Sequence, residues 1–161
     1  MQNAKDSFYM CLRARLAALN AERTTMLRGT VRPGILVEEA ESPFTQPPDN
    51  AFVLRWLGLG LEADLASSLA AMECEIAYGT CGSQSFGGLD RGRLMGAMDT
   101  ELAALLEPCS AMRTNYTVNP PAPMLTPIFW DEPVYTPLVA QRDRLSRTAR
   151  VMVYSYQEPG E

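Results

Sequence analysis

The sequence predicts an α+β domain: a mostly antiparallel sheet with two helices packed on it and a long proline-rich excursion, residues 108–137, before the last strand. Three observations carry this. Two apolar stripes recur at three- and four-residue spacing, several shorter stretches alternate apolar with polar residues, and seven prolines fall between Pro108 and Pro137. With 161 residues, 47% of them hydrophobic, the chain suits one domain, 1–161, around one core. A chain of this size hides roughly two thirds of its unfolded surface on folding.

The elements follow in order. Phe8, Cys11, Leu12, Leu16 and Leu19 form the first stripe, with Lys5, Asp6, Arg13 and Arg15 off it, which predicts an amphipathic helix. TTMLRGTVR (24–32) and GILVEEAE (34–41) are rich in strand formers and are broken by Pro33-Gly34, giving two short strands or one bent one. Residues 42–50 hold three prolines without periodicity and read as a loop. FVLRWLGLGLE (52–62) then alternates Phe52, Leu54 and Trp56 against Val53, Arg55 and Leu57. Apolar residues on both faces call for a central strand or one covered by another subunit.

In MECEIAYG (72–79), Met72, Cys74, Ile76 and Tyr78 alternate with Glu73, Glu75 and Ala77, so Cys74 points inward and the two glutamates outward. The loop GTCGSQSFGG reads as a flexible connection. Its Gly79, Gly82, Gly87 and Gly88 match neither the phosphate loop, which ends in Gly-Lys-Ser/Thr, nor the dinucleotide fingerprint. Leu94, Met95, Met98, Leu102, Leu105 and Leu106 form the second helical stripe, opened by Asp90 as N-cap and closed before Pro108. The excursion has no dependable period, yet Ile128, Phe129, Trp130, Val134 and Tyr135 make it too aromatic for a linker. They fold back on the domain or form an arm packed on a neighbour. SRTARVMVYSYQ (146–157) sets Ala149, Val151 and Val153 against Arg150, Met152, Tyr154 and Tyr156 and reads as the last strand.

Composition limits the chemistry. There is no histidine, which removes the commonest general base, the usual partner of a Ser or Cys nucleophile, and the commonest metal ligand. Cys11, Cys74, Cys81 and Cys109 form no C-x-x-C pair, so neither a zinc knuckle nor a thioredoxin-like motif is expected, and no cofactor or metal is implied. Glu73 and Glu75 would stand about 7 Å apart on one exposed face, a separation some acid–base pairs use. Strand geometry alone produces that spacing, and no neighbouring apolar pocket raises one pKa, so no catalytic residue is assigned.

A formal net charge of −5 argues against a nucleic-acid surface spread over the molecule. The opening MQNAKDSFYM has no apolar h-region and no eighteen apolar residues run together, so the expectation is a protein with no membrane segment, made in the cytoplasm with reduced cysteines. Thirteen of the fourteen cations are arginine, which reflects bidentate pairing with carboxylates or merely genome composition.

DSFYMCLRARLAAL, RPGILVEEAE, AAMECEIAYG, GLDRGRLMGAMDTELAALL and RTARVMVYSYQE, in that order, resemble the phage tail-terminator family of the lambda type. The resemblance implies a non-enzymatic assembly protein that forms a ring with copies of itself, usually hexameric. Such a ring docks on the last ring of the tail tube protein, stops tube growth and offers a surface to the head–tail connector protein. It implies residence in the bacterial cytoplasm during assembly and then in a virion tail or tail-like particle. The proline-rich stretch from 117 to 137 departs from the compact family pattern.

A ring-former needs head-to-tail contacts between unlike surfaces. Arg28, Arg32, Arg147 and Arg150 set against Glu38, Glu39, Glu73 and Glu75 supply candidates for that complementarity, or are ordinary solvated charges worth little. Arg91 and Arg93 oppose the helix dipole in the first turn of the second helix and point to an acidic partner. Two other classes remain. One is a small enzyme or ligand-binding domain that gathers Trp56, Trp130, Tyr135 and Tyr154 around the acidic pair Glu73 and Glu75. The other is a monomeric adaptor whose arginine-rich last strand is a guarded sheet edge.

Overall fold

The alternation in residues 69–80 sets the architecture, because a strand with one apolar face must bury it under another layer. In the computed structural model, residues 1–38, 47–62 and 68–158 are described, Leu59, Leu61 and Glu62 by backbone alone. Among them lie two α-helices, α1 (Gln2–Leu19) and α2 (Arg91–Leu105), both packed on one face of a mixed sheet. Its strands are β3 (Ile35–Val37), β4 (Phe52–Glu62), β5 (Leu69–Thr80), β6 (Ser110–Ala111), β9 (Ile128–Trp130), β10 (Val134–Tyr135), β11 (Val139–Gln141) and β12 (Arg144–Tyr156). The spatial order runs β3-β4-β5-β12-β9-β6, with β10 and β11 also on β12; β3 and β4 are parallel and the other pairings antiparallel. Two small hairpins stand apart: β1 (Thr24–Leu27) with β2 (Thr30–Pro33), and β7 (Thr114–Asn115) with β8 (Ala122–Pro123).

Residues 24–32, read from the sequence as a single stretch of strand, fold into the β1–β2 hairpin. The chain reverses at Arg28-Gly29, where both residues take positive φ, 50° and 78°. That two-residue turn matches the twist of the flanking strands. Pro33-Gly34 is a break as the sequence suggests, with β2 ending at Pro33 and β3 starting at Ile35; the turn at Arg28-Gly29 is the additional one.

The helix-side core joins Phe8, Leu12 and Leu16 of α1 and Met95, Met98 and Leu102 of α2 to Phe52, Met72, Ile76, Val151 and their neighbours. Phe8 meets Trp56 and Trp130 edge-on, at centroid distances of 5.9 and 5.2 Å. Cys11 is only half-buried and Leu19 is exposed, so the buried stripe of α1 shifts to Ala4, Ser7, Phe8, Leu12 and Leu16. Arg15 stacks 5.2 Å from the Trp130 ring and donates to the Leu105 carbonyl at 2.8 Å, tying α1 to the end of α2.

The excursion folds back onto the domain. Ile128 and Trp130 are buried, and β9, β10 and β11 make one interrupted partner for β12. From Trp130 to Val134 this edge advances four residues while β12 moves three, Val153 to Arg150. From Tyr135 to Val139 it again advances four against three, Ala149 to Ser146. Each extra residue is a bulge, and each break contains a proline, Pro133 or Pro137, which has no N–H for the ladder. At the second break Thr148 N–H donates to the Thr136 hydroxyl at 3.1 Å. The last strand is therefore interior, flanked by β5 on one side and β9–β11 on the other, and is not a sheet edge.

Candidate functional site

The sheet face opposite the helices carries the acidic pair. Arg150 lies directly across from Glu75 on the neighbouring strand; its guanidinium is 3.3 Å from Glu75 and 3.8 Å from Glu73. Nearby Arg55 pairs with Glu38. Glu38, Glu73, Glu75 and Arg150 thus meet opposite charge within their own chain, in pairs that at this exposure contribute about 0–1 kcal/mol each. Glu39 lies outside the described residues. Beside this ribbon Phe129 stacks on Tyr154 at 5.3 Å, and Tyr154 donates to Asp131 at 2.7 Å.

Arg147 belongs to the other side of the sheet. There it donates to Asp99 of α2 at 2.8 Å, and Tyr78 donates to the second oxygen of the same carboxylate at 2.6 Å. Burial first, and then the bond to Asp99, push the Tyr78 phenol well above its ordinary value. Tyr135 shifts the same way, from burial and the nearby Asp99 charge.

The glycine-rich loop is a built turn. Gly82, Gly87 and Gly88 have positive φ, and Asp90 accepts from the Ser83 N–H at 2.8 Å and from the Ser83 hydroxyl at 2.7 Å. Asp90 holds the N-cap position of α2 as expected, but its carboxylate closes this loop and makes no capping bond to the helix, and the bonds from Ser83 hold it below its usual range. Arg91 reaches the carbonyl of Asp143 at 3.1 Å, in the β11–β12 turn, whereas Arg93 is exposed. Phe86 and Leu89 stand out from the same loop.

Arg28 and Arg32 sit on the β1–β2 hairpin. Arg28 is exposed at the turn, and Arg32 donates to the Tyr9 hydroxyl at 2.8 Å. Trp56, Trp130 and Tyr135 pack on the helix side, whereas Glu73, Glu75 and Tyr154 lie on the opposite face. The aromatic residues and the acidic pair do not converge on one site.

Sequence reasoning missed three features. Arg113 is fully buried, donates to Ser155 at 2.9 Å and pairs with Glu158 at 2.8 Å; Glu158 also accepts from the Thr126 N–H at 2.8 Å. A buried arginine at the end of a polar stretch has no periodic signal. The second feature is the exposed apolar pair Met26 and Val31 on the hairpin. The third is a groove of about 360 Å³ between α2 and β10, lined by Ala103, Ala104, Leu106, Pro108, Pro133 and Tyr135, with Glu107 and Glu132 completing its wall.

Among the described residues no helix is long and apolar enough to cross a membrane. In comparisons with known proteins, no family model matches this chain and no curated protein matches it.

Proposed function

We propose that this chain is a structural assembly protein of the tail-terminator kind, which forms a closed ring by head-to-tail contact and acts through the faces of that ring. Its partners on this reading are copies of itself, the tip of a tail tube and a head–tail connector. The resemblance read from the sequence motivates the proposal, and one structural observation supports it. The two edges of the sheet are unlike, and each displays apolar side chains: Met26 and Val31 on the hairpin joined to β3, and Val134, Leu138 and Val139 along β10–β11.

Isolated apolar side chains on a surface need no explanation, but two groups on opposite edges do suit a heterologous contact. Such contacts generate rings when the rotation closes and filaments when it does not. Negative-stain electron microscopy of the purified protein, alone and added to polymerising tail tubes, tests the reading. Rings alone and shortened tubes in the mixture are expected; particles of single-subunit size and tubes of unchanged length would refute it.

A further inference from the structure

We propose that the β1–β2 hairpin of one copy seats Met26 and Val31 in the α2–β10 groove of the next copy, with Arg28 at its tip against the carboxylates of the groove wall. This names the self-contact of the ring and rests on that reading.

The hairpin is built to present this pair. Met26 and Val31 are directly opposite in the antiparallel register, so they share one face, and they are 70% and 62% exposed. Two-stranded hairpins are marginal in water by themselves, and among the described residues this one pairs with no other strand. It is anchored at its base, where Gly34 N–H donates to the Arg23 carbonyl at 2.8 Å and Arg23 pairs with Glu101 of α2. The apolar face of the hairpin is left outward.

The groove complements it in shape and in charge. Most of its apolar lining is small or rigid, Ala103, Ala104, Pro108 and Pro133 beside Leu106, and 360 Å³ admits both a methionine and a valine side chain. The Tyr135 side chain completes the lining. Glu107 and Glu132 are exposed at the groove, and Arg28 is exposed at the tip of the hairpin. Opposite charge around an apolar centre fixes register and speeds encounter.

Topology makes the contact intermolecular. The hairpin continues into β3 at one edge of the sheet, and β10 lies on the far side of β12, beyond β4 and β5. The hairpin leads into β3 at one edge of the sheet and the groove lies at β10 on the other side, which places the contact between copies, head to tail.

Cysteine cross-linking tests this on the full chain. The double variant M26C/A104C, oxidised under native conditions, is expected to give a ladder of covalent multimers on a non-reducing gel, which M26C or A104C alone does not give. A second variant, Met26→Asp, is expected to keep the circular dichroism spectrum and melting temperature of the parent, since the site is exposed. It is also expected to weaken self-association at least about tenfold, as loss of a central interface anchor does. A parent protein that assembles while the double variant gives no ladder and Met26→Asp assembles normally would overturn this interface and leave the ring reading standing. A parent protein that stays monomeric would overturn both.

Discussion

Tyr78 donates its hydroxyl to Asp99 at 2.6 Å, and this single bond joins the central strand of the sheet to the middle of α2. Because Arg147 shares the carboxylate, removing the tyrosine hydroxyl leaves Asp99 still paired. Tyr78→Phe is therefore expected to cost about 1 kcal/mol in urea unfolding. Asp99→Ala is expected to cost more, because it strands both a buried phenol and a guanidinium. A larger loss for Tyr78→Phe than for Asp99→Ala would contradict the arrangement.

The same bond sets an alkaline limit. The Tyr78 phenol is raised in the folded protein, so its contribution is complete below the ordinary phenol value and declines once the unfolded chain begins to ionise above about 10. Melting temperatures of the parent protein should fall more steeply above that pH than those of Tyr78→Phe. Parallel curves would speak against it.

At the acid end Glu158 has the opposite sign. The Thr126 N–H first, and Arg113 after it, lower its pKa to about 2. Its contribution is complete above the ordinary carboxylate value and is lost as pH falls through the folded one. Between about pH 4.5 and 2, the parent should lose stability faster than Glu158→Gln, measured by thermal melts across that range.

Phe8 is the hinge of the aromatic core, touching two tryptophan rings edge-on. Phe8→Ala opens a cavity there and is expected to cost about 3–5 kcal/mol. Leu19→Ala, on the same helix but exposed, should change stability by less than about 0.5 kcal/mol. Denaturant midpoints of the two variants check the contrast.

How much of this was legible in the sequence depended on period. β5 and the C-terminal part of β12 bury one face over many residues, so Met72, Cys74, Ile76, Val151 and Val153 announced themselves. The β1–β2 hairpin did not, because a non-glycine residue, Arg28, occupies the first turn position and Pro33-Gly34 nearby is the louder signal. The strands β9–β11 hid behind Pro133 and Pro137, which cut one edge into pieces of two or three residues, too short for any alternation. Glu73, Glu75 and Arg150 lie on the strand face away from the core, as the alternation suggests, although the two glutamates are only partly exposed; their pairing with Arg150 depends on a register between strands seventy-five residues apart. The groove joins Ala103 to Pro133 by tertiary contact alone, so nothing local marks it.

Native mass spectrometry of the purified chain over a range of concentrations addresses the proposed assembly most directly. A single closed oligomer of identical subunits, its subunit number unchanged on dilution until it dissociates, is the expected result. A monomer at every concentration, or an open series of ever larger species, would contradict a ring.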